Sequence, residues 1–285
     1  MDKRLLCFGY GYSARALAAR LVPEGWHIVG TTRSTQNFDR IAATGVEPLL
    51  WPGTDPRTLV QEFPNVLISA APEAGRDPVL DVLRDAFQAA APKMRWVGYL
   101  STTGVYGDHQ GNWVDERSPL NAQMERSRAR IRAEADWLGL SDLPLHIFRL
   151  AGIYGPGRGP FEKLRRGTAR RIIKPGQLFG RIHVDDIAAA LELSLEAPAG
   201  PAIFNLTDDV PAPPQDVIAF AASLLGLPVP PEEPFEDAAL SGMARSFYND
   251  NKRVRNDHAK RTLGWKLIHP DYRSGLAANL ALAER

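Results

Sequence analysis

The chain opens on a short apolar run, Arg4-Leu5-Leu6-Cys7-Phe8, which has the length of a buried strand rather than a helix. Immediately after it Ala14, Leu17, Ala18, Leu21 and Val22 recur at helical spacing. The alternation continues along the chain. Residues 26–30, 48–50, 65–69 and 96–101 read as the second to fifth strands, with a helical pattern over 79–91. Residues 126–138 predict a helix, 145–150 a sixth strand, 185–195 a helix with Asp185 as its N-cap, and 202–205 a late strand. Apolar strands alternating with helices predict parallel βαβ units and an α/β fold whose ligands bind at the carboxyl ends of the strands. From about Pro156, and again after Leu206, the alternation breaks down, and prolines gather at 210–214 and 227–231. The chain therefore divides into a sheet domain of residues 1–155 with 180–206, and a smaller lobe of residues 156–179 with 207–285 lying over the cleft.

The turn between the first strand and helix is Gly9-Tyr10-Gly11-Tyr12-Ser13-Ala14. A glycine-rich strand-to-helix turn turns backbone N–H groups and the positive end of a helix toward a phosphate. Gly9 allows the tight turn, Gly11 allows a pyrophosphate to approach the backbone, and Ala14 allows the helix to lie close to the sheet. Strand, turn and helix fall in the required order, so Gly9, Gly11, Tyr12, Ser13 and Ala14 are assigned to dinucleotide binding and the sheet is read as a doubly wound parallel Rossmann sheet.

An acid that would hold a ribose 2′-hydroxyl is expected about 20 residues past the turn. The sequence there is Gly30-Thr31-Thr32-Arg33-Ser34, without an acid. Arg33 offers a planar fork suited to a 2′-phosphate, and Thr32 and Ser34 offer hydroxyls. NADP(H) is therefore expected in preference to NAD(H).

Bulk properties narrow the partners. Of 285 residues, 34 are basic and 33 acidic, giving a net charge of +1. With no interleaving of basic and aromatic residues, nucleic acid is not expected. The N-terminus lacks a signal-peptide core and no run of 18 apolar residues occurs, so neither secretion nor a membrane span is expected. The single cysteine, Cys7, reads as a small buried apolar residue and fits a reducing cytoplasm.

Three further stretches carry a resemblance. Ser101-Thr102-Thr103-Gly104-Val105-Tyr106-Gly107 follows the fifth strand, residues 149–158 follow the sixth, and Arg181-Ile182-His183-Val184-Asp185-Asp186 leads into a helix. With the glycine turn, these resemble the extended short-chain dehydrogenase/reductases, the NAD(P)-dependent epimerase/dehydratase group. The resemblance covers nearly the whole chain. It implies a Rossmann domain with a small C-terminal substrate lobe, a small-molecule substrate, and a homodimer through the long helices. It also implies that Ala70 and Ala71, after the fourth strand, line the cofactor.

In that family a serine or threonine after the fifth strand polarises the substrate oxygen, and a Tyr-x-x-x-Lys on the next helix moves the proton and orients the nicotinamide ribose. Matching Val105-Tyr106-Gly107 places Thr102 at the hydroxyl position. Matching Ala133-Glu134 places Arg126 at the tyrosine position and Arg130 at the lysine position. No tyrosine lies between Tyr106 and Tyr154 and no lysine between Lys93 and Lys163, so a register slip does not restore the pair. A formal match at Tyr248 to Lys252 falls far downstream and reads as chance. Arg130 keeps a charge and donors for ribose hydroxyls and is assigned to the cofactor as well as to catalysis. Arg126 cannot transfer a proton, because a guanidinium stays protonated at any relevant pH. The pattern resembles the atypical branch of the superfamily.

Substitutes for the tyrosine are Tyr106 and Tyr154, which follow strand ends facing the cleft and otherwise read as packing or cofactor-lining aromatics, and His183, which is usually structural in the resembled motif; Tyr154 and His183 are also candidate substrate contacts. Glu116 reads as a solvated loop acid. Arginines 126, 128, 130 and 132 and a second basic cluster from Lys163 to Lys174 read either as solvated helix surface or as contacts to an anionic substrate, phosphorylated or a nucleotide sugar, with Arg126 and Arg171 as the substrate contacts in the second reading. No metal ligands are assigned. Two functions follow: an NADP(H)-dependent oxidoreductase or epimerase with non-standard acid/base residues, or a catalytically inactive NADP(H)-binding sensor.

Overall fold

The computed structural model describes residues 2–197 and 200–283. In chain order the elements are β1 (Arg4–Phe8), α1 (Tyr12–Leu21), β2 (His27–Thr32), α2 (Phe38–Ala42), β3 (Glu47–Leu50), α3 (Arg57–Glu62), β4 (Asn65–Ile68), α4 (Leu80–Ala90), β5 (Trp96–Thr102) and β6 (Trp113–Val114). Then follow α5 (Glu125–Leu138), β7 (Leu145–Leu150), β8 (Gly152–Tyr154), α6 (Phe161–Arg165), β9 (Arg171–Ile173), β10 (Arg181–His183), α7 (Val184–Leu195) and β11 (Ala202–Leu206). The chain ends with α8 (Pro214–Leu224), β12 (Glu232–Pro234), α9 (Gly242–Phe247), β13 (Arg253–Val254), α10 (Asp257–Leu263) and α11 (Tyr272–Ala283).

Seven strands form one parallel sheet in the order β11-β7-β5-β4-β1-β2-β3. Both faces are covered, which is why its central strands are apolar along their whole length. The two-residue repeat of a strand sorts them. Leu5 and Cys7 of β1 face Leu17 and Ala18 of α1 and Ile187 and Leu191 of α7, while Leu6 and Phe8 face Leu83 and Phe87 of α4 and Trp137 of α5. The strand order reverses between β1 and β4, so the crevice at their carboxyl ends is the ligand position expected of a doubly wound sheet.

The strands read from the sequence fall within one or two residues of these bounds. The cap of α7 differs: His183, not Asp185, is the N-cap, and its ring accepts the Asp185 N–H. Tyr154, Phe161, Leu164, Val217, Ala221, Tyr272 and Leu276 build a separate small core. Within the expected lobe, however, Ala259 and Leu263 of α10, and Trp265 after it, pack into the sheet's own core. The pairing of β6 with β13 ties the segment between β5 and α5 to residues 253–254. Among the described residues, no helix is long and apolar enough to cross a membrane.

Candidate functional site

The glycine turn stands at the reversal point. Gly9 has φ +85°, and a Cβ there would lie 2.9 Å from the Ala70 nitrogen, so both conformation and space demand glycine. Its N–H donates to Thr31 Oγ1 at 2.8 Å. Gly11 is different: a Cβ would meet only Gly9 O, at 3.9 Å. It caps α1 in an extended conformation with no side-chain hydrogen bond, and no acid occupies the first turn. An uncapped helix N-terminus under open space suits an anionic pyrophosphate. Ala14 and Ser13 are buried behind it. Tyr12 braces the turn from outside, donating from its hydroxyl to Pro156 O at 2.9 Å, with the Arg158 guanidinium 5.6 Å from its ring centroid.

Arg33 extends from the carboxyl end of β2 and pairs with Glu73 at 2.6 Å, both side chains exposed. Ala70 and Ala71, just before Glu73, flank the same end of the crevice and are half-buried or exposed. The hydroxyls of Thr32 and Ser34 are engaged locally: Thr32 Oγ1 accepts from Asn37 Nδ2 at 3.1 Å, and Ser34 Oγ accepts from Gln36 N at 3.3 Å. The end of β2 itself carries no acid, and the Arg33 guanidinium that stands there is engaged by Glu73 from the segment after β4.

At the end of β5, Thr102 is half-buried and its Oγ1 accepts the Gly104 N–H at 3.1 Å. Arg130 on α5 is fixed against that strand, donating from Nη1 to Leu100 O at 2.6 Å and to the Tyr99 hydroxyl at 3.1 Å. Arg126, one turn earlier, reaches the other way. Its Nη2 donates to Ser246 Oγ at 3.2 Å, and its guanidinium stands 4.2 Å from the Phe247 ring centroid. Helix α9 is thus brought onto α5 by a residue pair that no local sequence pattern announces.

Three candidate residues are buried. Tyr106 is fully buried; its hydroxyl donates to Asn205 Oδ1 at 2.7 Å and accepts from Arg149 Nη1 at 3.0 Å. Burial pushes its pKa up to about 12. Tyr154 is buried against His183, donates to Asp271 O at 3.2 Å, and has its pKa raised by burial. His183 is buried, with Nε2 2.9 Å from Asn279 Oδ1. In each case apolar surroundings and satisfied polar atoms, rather than an open cleft, account for the placement. Arg171 sits at the edge of the β9–β12 pair, bonded to Glu232 at 2.9 Å. Glu116 is no free loop acid: Oε1 accepts the Asn205 N–H at 2.9 Å. Tyr248 and Lys252 do not form a pair on α5. Tyr248 packs between Phe179 and Phe235, and half-buried Lys252 donates to Gly107 O at 2.9 Å.

This sheet, with its glycine turn at the reversal point, is the fold of the NAD-dependent epimerase/dehydratase proteins. A putative NAD-dependent epimerase/dehydratase from Methylobacillus flagellatus matches with TM-score 0.73 at 26% identity, over 100% of both chains. A human epimerase family protein with NADPH shares the fold at TM-score 0.73 and 18% identity, over 98% of this chain and 99% of that one. Within that class the chain belongs to one family with a functionally unknown conserved protein from Silicibacter pomeroyi, 56% identical with TM-score 0.95 over 99% of this chain and 100% of that one. Protein YeeZ of Escherichia coli is 29% identical over 286 residues, 94% of this chain and 97% of that protein. A 3-diazoavenalumate denitrifying reductase from a Streptomyces species is 32% identical over 182 residues, 57% of this chain and 58% of that enzyme. No family model matches the chain.

Proposed function

We propose that the chain is an NADP(H)-dependent oxidoreductase or epimerase of the epimerase/dehydratase type, acting on a small anionic substrate without a tyrosine as its proton-transfer group. The observation that carries this reading is the fixing of Arg130 to Leu100 O beside Thr102, at the carboxyl end of β5. A bound nicotinamide supplies or takes a hydride. Thr102 holds the substrate oxygen by a hydrogen bond. Arg130 keeps Nη2 and Nε for a ribose hydroxyl or for negative charge developing on that oxygen, the kind of fixed donor that stabilises a transition state. Arg126, held by Phe247 and Ser246 at the other end of the same helical face, offers its charge to an anionic substrate group. The proton comes through water, since a guanidinium does not release one and the Tyr106 hydroxyl is sealed behind Arg149. The likeness to a reductase over part of the chain supports hydride chemistry. Arg33 supports the phosphorylated cofactor, and the lone buried Cys7 suits a cytoplasmic setting.

A second reading is favoured by the same arginines: a protein that holds NADP(H) and senses it without turnover. The two separate in one experiment. NADPH oxidation is followed across aldehydes and ketones, and epimer formation from nucleotide sugars by NMR with NADP⁺ present, beside calorimetric binding of NADPH. Substrate-dependent oxidation or epimer formation that falls at least tenfold in Arg130→Met supports the enzyme. Tight binding with no turnover on any substrate supports the sensor, and absence of binding removes both.

A further inference from the structure

The motif Arg181-Ile182-His183-Val184-Asp185-Asp186 is not absorbed by the cofactor site, and the chain folds a second histidine onto it. His183 Nδ1 lies 3.5 Å from Asp185 Oδ2, and His269 Nε2 lies 3.4 Å from the same oxygen. All three donor atoms lie within 4.8 Å of one another, and the two imidazole centroids are 4.0 Å apart. We propose that His183, Asp185 and His269 form a binding site for a first-row divalent transition ion of the zinc type, with water in the fourth position.

Two of the three donor separations are those of a ligand shell. Bonds of roughly 2.0–2.2 Å from a tetrahedral ion to nitrogen and oxygen place neighbouring donors roughly 3.3–3.5 Å apart. The two ion-pair distances fall in that range. Two imidazoles and one carboxylate suit zinc or its neighbours and not magnesium or calcium, which prefer oxygen.

The surroundings hold the donors in place. His183 is buried, and its Nε2 faces Asn279 Oδ1 at 2.9 Å, leaving Nδ1 toward Asp185. This is the outer partner a metal-bound imidazole ordinarily has. His269 is positioned through its backbone: Asp186 accepts the N–H groups of Ile268 at 2.5 Å and His269 at 3.2 Å. Trp265 Nε1, also on this segment, donates to Asp186 O at 3.2 Å. Asp185 is the solvent-side member, its side chain 45% exposed, so an ion and its water have an entry path. The carboxylate also offsets the positive end of α7. The Asp185 N–H now meets His183 Nδ1 at 3.2 Å, the long end of the hydrogen-bond range, and ion binding exchanges this contact for a coordinate bond.

The test uses the untagged full-length chain, stripped with chelator and dialysed against Zn²⁺ or Co²⁺. The expected result is one ion per chain by elemental analysis, visible Co²⁺ bands of tetrahedral intensity, and a thermal midpoint raised by Zn²⁺. His269→Ala and Asp185→Asn each weaken binding at least tenfold and abolish the Zn²⁺-dependent rise. Asp185→Asn keeps the side chain's shape and decides the matter if His269→Ala fails to fold. Absence of stoichiometric retention in the parent chain, or retention undiminished in Asp185→Asn, overturns the site. None of these readouts depends on NADPH turnover.

Discussion

Glu134 on α5 and Arg149 on β7 form an ion pair at 2.7 Å with each side chain only 3% exposed. Glu134 also accepts the Ser101 hydroxyl at 2.5 Å, and Arg149 donates onward to the Tyr106 hydroxyl and Glu116 O. The pair therefore fixes α5, and with it Arg126 and Arg130, against β5 and β7. Removing one member of a buried pair leaves the other charge unsolvated, at a cost of about 3–5 kcal/mol. Glu134→Gln and Arg149→Met are each expected to lower unfolding free energy by that order in urea titrations. The double variant should lose clearly less than the sum. Strictly additive losses would mean that the two side chains act independently.

Gly11 separates cofactor binding from folding. A side chain there meets little protein, and its φ of −97° and ψ of −157° are open to any residue. Gly11→Val should leave the thermal midpoint within a few degrees of the parent while weakening NADPH by at least tenfold, because the added methyls fill the space over the α1 N-terminus. Unchanged affinity in a folded variant would place the pyrophosphate elsewhere.

The Arg33–Glu73 pair makes a prediction with opposite signs for its two members. Both side chains are exposed, so the pair itself contributes little, about 0–1 kcal/mol. It does compete with a 2′-phosphate for the guanidinium. Arg33→Ala should erase most of the difference between NADPH and NADH affinity measured by calorimetry, whereas Glu73→Gln should widen it several-fold. Neither change should alter NADH binding appreciably.

The frame of the molecule was legible because its physics is local. The buried run at Arg4–Phe8, the spacing of Leu17 and Leu21, and the apolar strands from Asn65 to Leu150 each declare themselves within a few residues. The glycine turn between β1 and α1 was legible for the same reason. What sequence spacing did not carry were contacts between distant segments. Arg126 meets Phe247 across more than a hundred residues, Glu116 caps the Asn205 N–H, and Tyr106 disappears behind Arg149 and Asn205. His183 is closed over by Asn279 and His269, both from the last seventeen residues, which no spacing near residue 183 announces. Exposure at a strand end depends on what the C-terminal segment covers, and that is decided by tertiary packing alone.

Asp208 follows β11 and is 2% exposed, with neither carboxylate oxygen meeting a hydrogen-bond donor among the described residues. Burial pushes its pKa up to about 8, with Asp209 and Asp271 adding in the same direction and Arg181 opposing. The unfolded chain has an ordinary carboxyl that ionises near pH 4. Between those limits the native state holds a proton that the unfolded state has released, so stability falls as pH rises from about 4 to about 8 and levels off above. The full contribution is present at acid pH and is lost toward the native pKa, the reverse of a salt-bridged aspartate. Asn at this position keeps the shape and has no proton to lose. Asp208→Asn should therefore gain on the parent between pH 5 and pH 8, by ~2–4 kcal/mol at the slope of about 1.4 kcal/mol per pH unit. Urea unfolding of both proteins at the two pH values decides it: a gap that stays constant, or narrows toward pH 8, would mean that Asp208 is ionised in the native state.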